Sequence, residues 1–274
     1  MKSKISRKYY PLALAVIAVC VFLTTFALNR TEKADQPEVS DTSMLTFVKT
    51  NPELSSHLIH YKGMDVNFNA DYHVPNWVVW ELTGEETKGK VPRSNKFYAD
   101  PPIKGCPEPS NYTYSGYDRG HMAPAGDMKW DREAMEETFC LTNIAPQAKK
   151  LNVGAWKKLE EKCRNRAVID SAIIIVCGPI LNEEPIQYIG QERVAVPKRF
   201  FKVILSPYTN PVRGIGFIMP NGEVRGGMQA CATTIDEVER ITGHDFFSSL
   251  PDEIENRVES ECNFHTWSNL KSTK

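Results

Sequence analysis

Residues 172–180 read Ala-Ile-Ile-Ile-Val-Cys-Gly-Pro-Ile. An unbroken apolar, β-branched run of this length is a buried strand, and Gly178-Pro179 closes it. Working outward, Trp77-Val-Val-Trp-Glu-Leu82 is aromatic and β-branched and also reads as a strand. Phe200–Leu205 and Gly214–Met219 give two more, and Thr138–Ile144 gives a short one ending at Pro146. Lys88–Pro102 is polar and proline-containing, hence loop. Three stretches read as helix. Asn152–Arg166 places Val153, Trp156, Leu159 and Cys163 at three- and four-residue spacing. Thr234-Ile-Asp-Glu237 has the form of a capping box, and Gly243 ends the helix that it opens. Pro251–Glu261 reads as a surface helix. Strands and helices mix without regular βαβ alternation. The expected class is α+β, with a central, largely antiparallel sheet flanked by helices.

The N-terminus differs from the rest. Lys2, Lys4, Arg7 and Lys8 precede an apolar run from Tyr9 to Leu28. A run of this length can span a bilayer, and its basic flank should stay cytoplasmic. Residues 1–28 are therefore expected to be a signal peptide or an N-terminal membrane anchor. Residues 29–48 follow as a polar linker, and 49–274 as the folded domain. The expected location is extracytoplasmic: periplasm, cell surface or secreted. Six cysteines lie beyond this segment: Cys106, Cys140, Cys163, Cys177, Cys231 and Cys262. An even count permits disulfides, while isolated core cysteines are commonly free thiols, and both readings stay open.

Charge limits the partners. The chain holds 33 basic and 34 acidic residues, and four of the basic ones lie in the first 28. The remainder is net acidic, so a surface that coats polyanions generally is excluded and any nucleic-acid contact must be local. One stretch fits local contact. Lys149, Lys150, Lys157, Lys158, Lys162, Arg164 and Arg166 are opposed only by Glu160 and Glu161. A solvated helix face is the competing reading.

Chemistry concentrates at Tyr117-Asp-Arg-Gly-His121. Buried charges are costly unless paired, which makes this string poor core material. It suits phosphate chemistry, since Arg119 can clamp an oxyanion while His121 moves a proton. Downstream, Asn152 is well placed in a first helical turn, where an amide can cap or coordinate. A neutral amide oxygen can be the one protein ligand of Mg²⁺, which keeps most of its waters. On an ideal helix Glu160 stands about 12 Å further along the axis and about 80° round, so it and Asn152 can border one site without touching one ion equally. Glu160 and Arg164 are also spaced for an ordinary surface pair. The sequence contains no HExxH motif, no carboxylate cluster and no Cys/His ligand set. That disfavours a two-metal site and is compatible with a one-metal site.

The joint pattern Asp118-Arg-Gly-His121, Asn143-Ile-Ala-Pro-Gln147, Asn152-Val-Gly-Ala-Trp156 and Glu160 resembles the sugar-nonspecific DNA/RNA endonucleases. These form part of the ββα-metal, or His-Me finger, group. The resemblance extends from about Tyr72 to Pro251 and implies a DNA/RNA non-specific endonuclease domain over 49–274. It implies His121 as general base and Asn152 as ligand of one Mg²⁺, with Mn²⁺ an alternative ion. Glu160 is similar to the carboxylate that holds metal-bound waters, and Asn143 to the asparagine that supports histidine and phosphate. Arg119 resembles a charge-stabilising catalytic arginine. Arg93 and Arg164 resemble substrate-binding ones, and Asp118 resembles a scaffold. His57, His60, His73, His244 and His265 match no role. DNA and RNA are the implied partners, together with a membrane if the N-terminal segment is uncleaved. The oligomeric state stays open, homodimer included. Two other functions remain open: a phosphodiesterase acting on small nucleotides, and a catalytically silent nucleic-acid-binding envelope protein.

Overall fold

Ala172–Pro179 is the middle strand of a seven-stranded sheet. The structure is a computed structural model and describes residues 48–184 and 186–269. The predicted N-terminal signal or anchor (1–28) lies outside these residues. Among the described residues no helix is long and apolar enough to cross a membrane.

In chain order the first strands are β1 (Val48–Lys49), β2 (His57–His60), β3 (Asp65–Asn69), β4 (Val74–Thr83), β5 (Asp118–His121), β6 (Ile144–Gln147) and β7 (Ala172–Pro179). They are followed by β8 (Gln187–Ile189), β9 (Val194–Val196), β10 (Arg199–Ser206), β11 (Arg213–Pro220), β12 (Ala232–Thr233) and β13 (Asp245–Phe246). The α-helices are α1 (Arg132–Glu137), α2 (Lys157–Asp170), α3 (Ile235–Thr242), α4 (Asp252–Ser260) and α5 (Phe264–Ser268). The large sheet runs β12-β11-β10-β7-β4-β3-β2, and every pairing in it is antiparallel.

Strand periodicity divides the core. Along β7, Ile173, Ile175 and Cys177 face one side and Ile174 and Val176 the other. On the first side Trp156, Leu159 and Cys163 pack from the α2 region. On the second side lie Ile235 and Val238 of α3 with Ile254 and Val258 of α4. Burial on both faces is why β7 is an unbroken apolar run rather than an alternating one.

The capping box is half formed. Thr234 Oγ1 accepts from the Glu237 N–H at 3.1 Å, and Glu237 turns outward to Arg240 at 2.7 Å. Gly243 ends α3 with φ of 73°, a left-handed conformation that glycine adopts at little cost.

Two local expectations are corrected. The strand expected over Thr138–Ile144 starts only at Ile144, because Leu141–Asn143 is a 3-10 turn. The helix expected over Asn152–Arg166 is split. Leu151–Trp156 is a wider, π-type turn with Gly154 outside helical backbone angles, and the regular helix begins at Lys157. Asn152 and Glu160 therefore do not share one ideal helix, and the separation expected on that basis does not apply.

Candidate active site

Strand β5 carries Asp118, Arg119, Gly120 and His121, and pairs antiparallel with β6 so that Asp118 faces Gln147 and His121 faces Ile144. Gly120 is dictated by its neighbour, since a Cβ there would stand 2.3 Å from the Gln147 side chain. Gln147 is itself buried, with both amide atoms unpartnered. His121 is buried at the end of the strand. The Phe139 ring meets it edge-on at 4.9 Å, and Phe97 is 5.4 Å away. Burial and then the Arg93 charge push the imidazole down to about 3. It is therefore neutral at ordinary pH, and its buried Nε2 has no protein partner.

The π-type turn carries Asn152 against β5. Its Nδ2 donates to Asp118 Oδ2 at 3.0 Å. With the amine end held there, the remaining polar atom of the side chain is the amide oxygen, a neutral hard donor. The turn is anchored by Trp156, whose Nε1 donates to the His121 carbonyl at 3.2 Å. The turn is thus held to both ends of β5, at Asp118 through Asn152 and at His121 through Trp156. Burial, opposed by Lys202 and reinforced by Asp127, raises the Glu160 carboxyl to about 7. Asn152 and Glu160 offer only oxygen donors, a set that fits Mg²⁺ or Mn²⁺ and not a soft metal.

Beneath the site lies a buried charge network absent from the sequence reading. Asp127 accepts from Arg164 Nη1 at 2.7 Å and from Trp80 Nε1 at 3.1 Å. Arg164 is therefore paired with Asp127 and not with Glu160, contrary to the surface-pair reading. Lys202 is 1% exposed in β10, with Nζ 4.5 Å from the Trp156 ring and 5.1 Å from the Trp80 ring. Burial pulls Lys202 down, but Cys177, Cys163, Glu160 and Asp127 outweigh it and hold it above its ordinary value. A sequence signal for this residue existed, because Arg199-Phe-Phe-Lys-Val-Ile-Leu-Ser206 has one lysine inside an apolar strand. Period-two alternation puts it on the face of Phe200 and Ile204, the face that carries the site.

The remaining residues divide by what they touch. Arg93 is exposed and lies 5.0 Å from the Phe139 ring centre. Arg119 stacks at 5.2 Å from the Phe97 ring and donates to the Pro109 carbonyl at 2.8 Å, while its buried Nε has no partner. Asn143 is fully buried and spends its side chain on backbone. Nδ2 donates to the carbonyls of Ala123 and Thr138, and Oδ1 accepts from the Ala123 N–H, each at 2.9 Å. No donor is left over for phosphate, so the expected phosphate contact of Asn143 is corrected to holding the chain just after His121.

The other histidines lie elsewhere. His57 and His265 are exposed, and His60 meets Asp65 at 2.9 Å. His73 contacts the Gly105 carbonyl at 2.7 Å, and buried His244 accepts from the Asn51 N–H at 3.0 Å. All six cysteines beyond the N-terminal segment are free thiols.

The fold is α+β, with a His-bearing two-stranded ribbon followed by an Asn-bearing helical turn. The DNA/RNA non-specific endonuclease family model matches residues 43–253, and the chain belongs to that family. It is 32% identical over 216 residues to the mitochondrial nuclease EXOG of Danio rerio, covering 73% of this chain and 63% of that one. It is 32% identical over 208 residues to the mitochondrial nuclease of Saccharomyces cerevisiae, covering 67% and 63%. A solved complex of EndoG with EndoGI, described as revealing the mechanism of EndoG inhibition, superposes with a TM-score of 0.67. That match is at 30% identity over 73% of this chain and 89% of the other. The chain spans between 56% and 63% of the length of the vertebrate EXOG relatives. These findings correct one expectation. The extracytoplasmic location read from the N-terminal segment is overturned by relatives that are mitochondrial by name.

Proposed function

We propose that this chain is a metal-dependent endonuclease that hydrolyses phosphodiester bonds of DNA and RNA with little sequence preference. The 49–274 segment is its nuclease domain. The observation that carries this reading is the 3.0 Å bond from Asn152 to Asp118, which leaves an amide oxygen as the free donor on the turn packed against the His121 strand. Asn152 would be the protein ligand of one Mg²⁺, and Glu160 would hold its waters; Mn²⁺ would suit the same donors. The bound ion supplies Lewis-acid stabilisation of the scissile phosphate and of the leaving oxygen.

His121, held neutral by its surroundings, takes a proton from the attacking water as that water's oxygen bonds to phosphorus and the bond to the leaving oxygen breaks. Phosphate charge drawn into the site raises the imidazole's affinity for that proton. Arg119 and Arg93 bind phosphate oxygens and stabilise the charge that develops there. Arg164 supports the site through Asp127. Asn143 fixes the backbone that follows His121. Phosphate contacts position a substrate without reading its bases, in keeping with weak sequence preference.

The test is degradation of plasmid DNA and of RNA by the full chain in Mg²⁺, with and without EDTA. His121→Ala should lose about 10²- to 10⁴-fold in rate while retaining metal binding. Asn152→Ala should lose activity and weaken Mg²⁺ dependence. Full activity of His121→Ala removes the base, and an unchanged Mg²⁺ titration of Asn152→Ala removes the ligand. Cleavage of dinucleotides alone would favour a small-nucleotide phosphodiesterase, and binding without cleavage a silent nucleic-acid binder.

A further inference from the structure

The face of the sheet opposite the active site carries a second group of oxygen donors. Asp236 and Glu239 stand one turn apart on α3, and Glu259 is on the last turn of α4. One carboxylate oxygen from each lies within 4.8 Å of the others. The group is graded in exposure, from exposed Asp236 through half-buried Glu239 to buried Glu259. Glu259 is 7% exposed, and its buried Oε1 has no protein partner. A buried acceptor left without a donor is costly. Glu239 is fixed by the Phe246 N–H, which donates to its Oε1 at 2.7 Å.

Among the described residues none of the nearby cations forms an ion pair with the cluster; Arg257, on α4 with Glu259, donates through Nη1 to the Val212 carbonyl at 3.1 Å. Lys49 pairs with Asp245 at 2.8 Å, and Arg240 pairs with Glu237 at 2.7 Å. The charges acting on Glu259 are Glu239, Glu255, Asp236 and Asp245, all acidic. Such a cluster needs a proton or a cation.

We propose that Asp236, Glu239 and Glu259 bind a calcium ion that ties α3 to α4. Oxygens bound to one calcium at about 2.4 Å stand no more than about 4.8 Å apart, a limit that the cluster respects. Calcium accepts six to eight oxygens, and the exposed edge at Asp236 admits the waters that complete its shell. The ion would neutralise the cluster and occupy the lone pair of Glu259 that no protein group takes. Its effect is on stability, because the helices it joins cover the second half of the core through Ile235, Val238, Ile254 and Val258.

The experiment uses the full chain with calcium chloride as the only probe, in the Asn152→Ala background so that the proposed catalytic metal does not contribute. Calorimetric titration should show one calcium event, and at 100-fold excess over the dissociation constant the melting temperature should rise by roughly 5 °C or more. Adding Glu259→Gln should weaken calcium binding at least tenfold and abolish the rise. Glu259→Gln on its own should leave Mg²⁺-dependent DNA cleavage unchanged. If Glu259→Gln does not fold, the exposed Asp236→Asn variant decides, with at least a tenfold loss of calcium affinity expected. No calcium event in the Asn152→Ala background, or an unaltered event in the carboxylate variants, overturns the site and leaves a shared proton as the occupant.

Discussion

Arg93→Ala should move the acid limb of the activity profile upward in pH. The guanidinium carbon is 5.0 Å from the Phe139 ring centre, and that ring is 4.9 Å from the His121 ring, so the charge lies no more than about 10 Å from the imidazole. At an effective dielectric of ~20, a unit charge at ~10 Å contributes ~1.7 kcal/mol, equivalent to about 1.2 pH units; water-like screening reduces this to about 0.3. Arg93 is exposed, which favours the lower half of that range. Removing a positive charge favours the protonated imidazole, so the affinity of His121 for its proton must rise. Because catalysis needs the neutral form, the acid inflection of kcat/KM should climb by about 0.3 to 0.8 pH unit. The wild-type inflection should itself lie well below about 6.5, the value for a free imidazole, since burial holds His121 down to about 3. Arg93→Ala also lowers the rate by weakening the phosphate grip, so the position of the inflection is the readout and not its height. A direct check follows the His121 ring signals by NMR across pH in the free protein. A wild-type inflection at or above 6.5, or one that stays or falls in Arg93→Ala, refutes the argument.

Gly120→Ala places a methyl group 2.3 Å from the Gln147 side chain and should cost about 1–3 kcal/mol by overpacking. Chemical denaturation measures this, and adding Gln147→Ala should restore part of the loss. Lys202→Met removes the buried cation that opposes the burial of Glu160, while Asp127 keeps Arg164; it should destabilise by about 1–3 kcal/mol, read by the same method, and no loss would mean that the lysine balances nothing. Acid stability follows from two buried histidines, His121 held at about 3 and His244 at about 4. Both are depressed, so their stabilising contribution is complete above about 6.5 and disappears as pH falls through 4 and then 3. A melting temperature that is flat from pH 7 to pH 4 contradicts this.

The parts of the site legible in the sequence are those whose chemistry fails as core. Asp118, Arg119 and His121 sit together where no packing argument wants them, and Asn152 opens a helical stretch where an amide is useful. β7 was legible for the opposite reason, since burial on both faces removes polar residues altogether. What escaped was pairing at long range. Arg164 sits four residues after Glu160, and local spacing joins them, yet the guanidinium meets the buried Asp127 at 2.7 Å. Helical spacing cannot see a partner 37 residues back in a loop. The split at Gly154 escaped likewise, because apolar periodicity reports which face is buried and not which carbonyl each N–H meets. The Asp118–Asn152 bond is of the same kind. It joins a strand to a turn 34 residues later, and it is what orients the amide. The candidate residues can thus be named from sequence, but the orientation of the Asn152 amide arises only when β5 and the π-type turn meet.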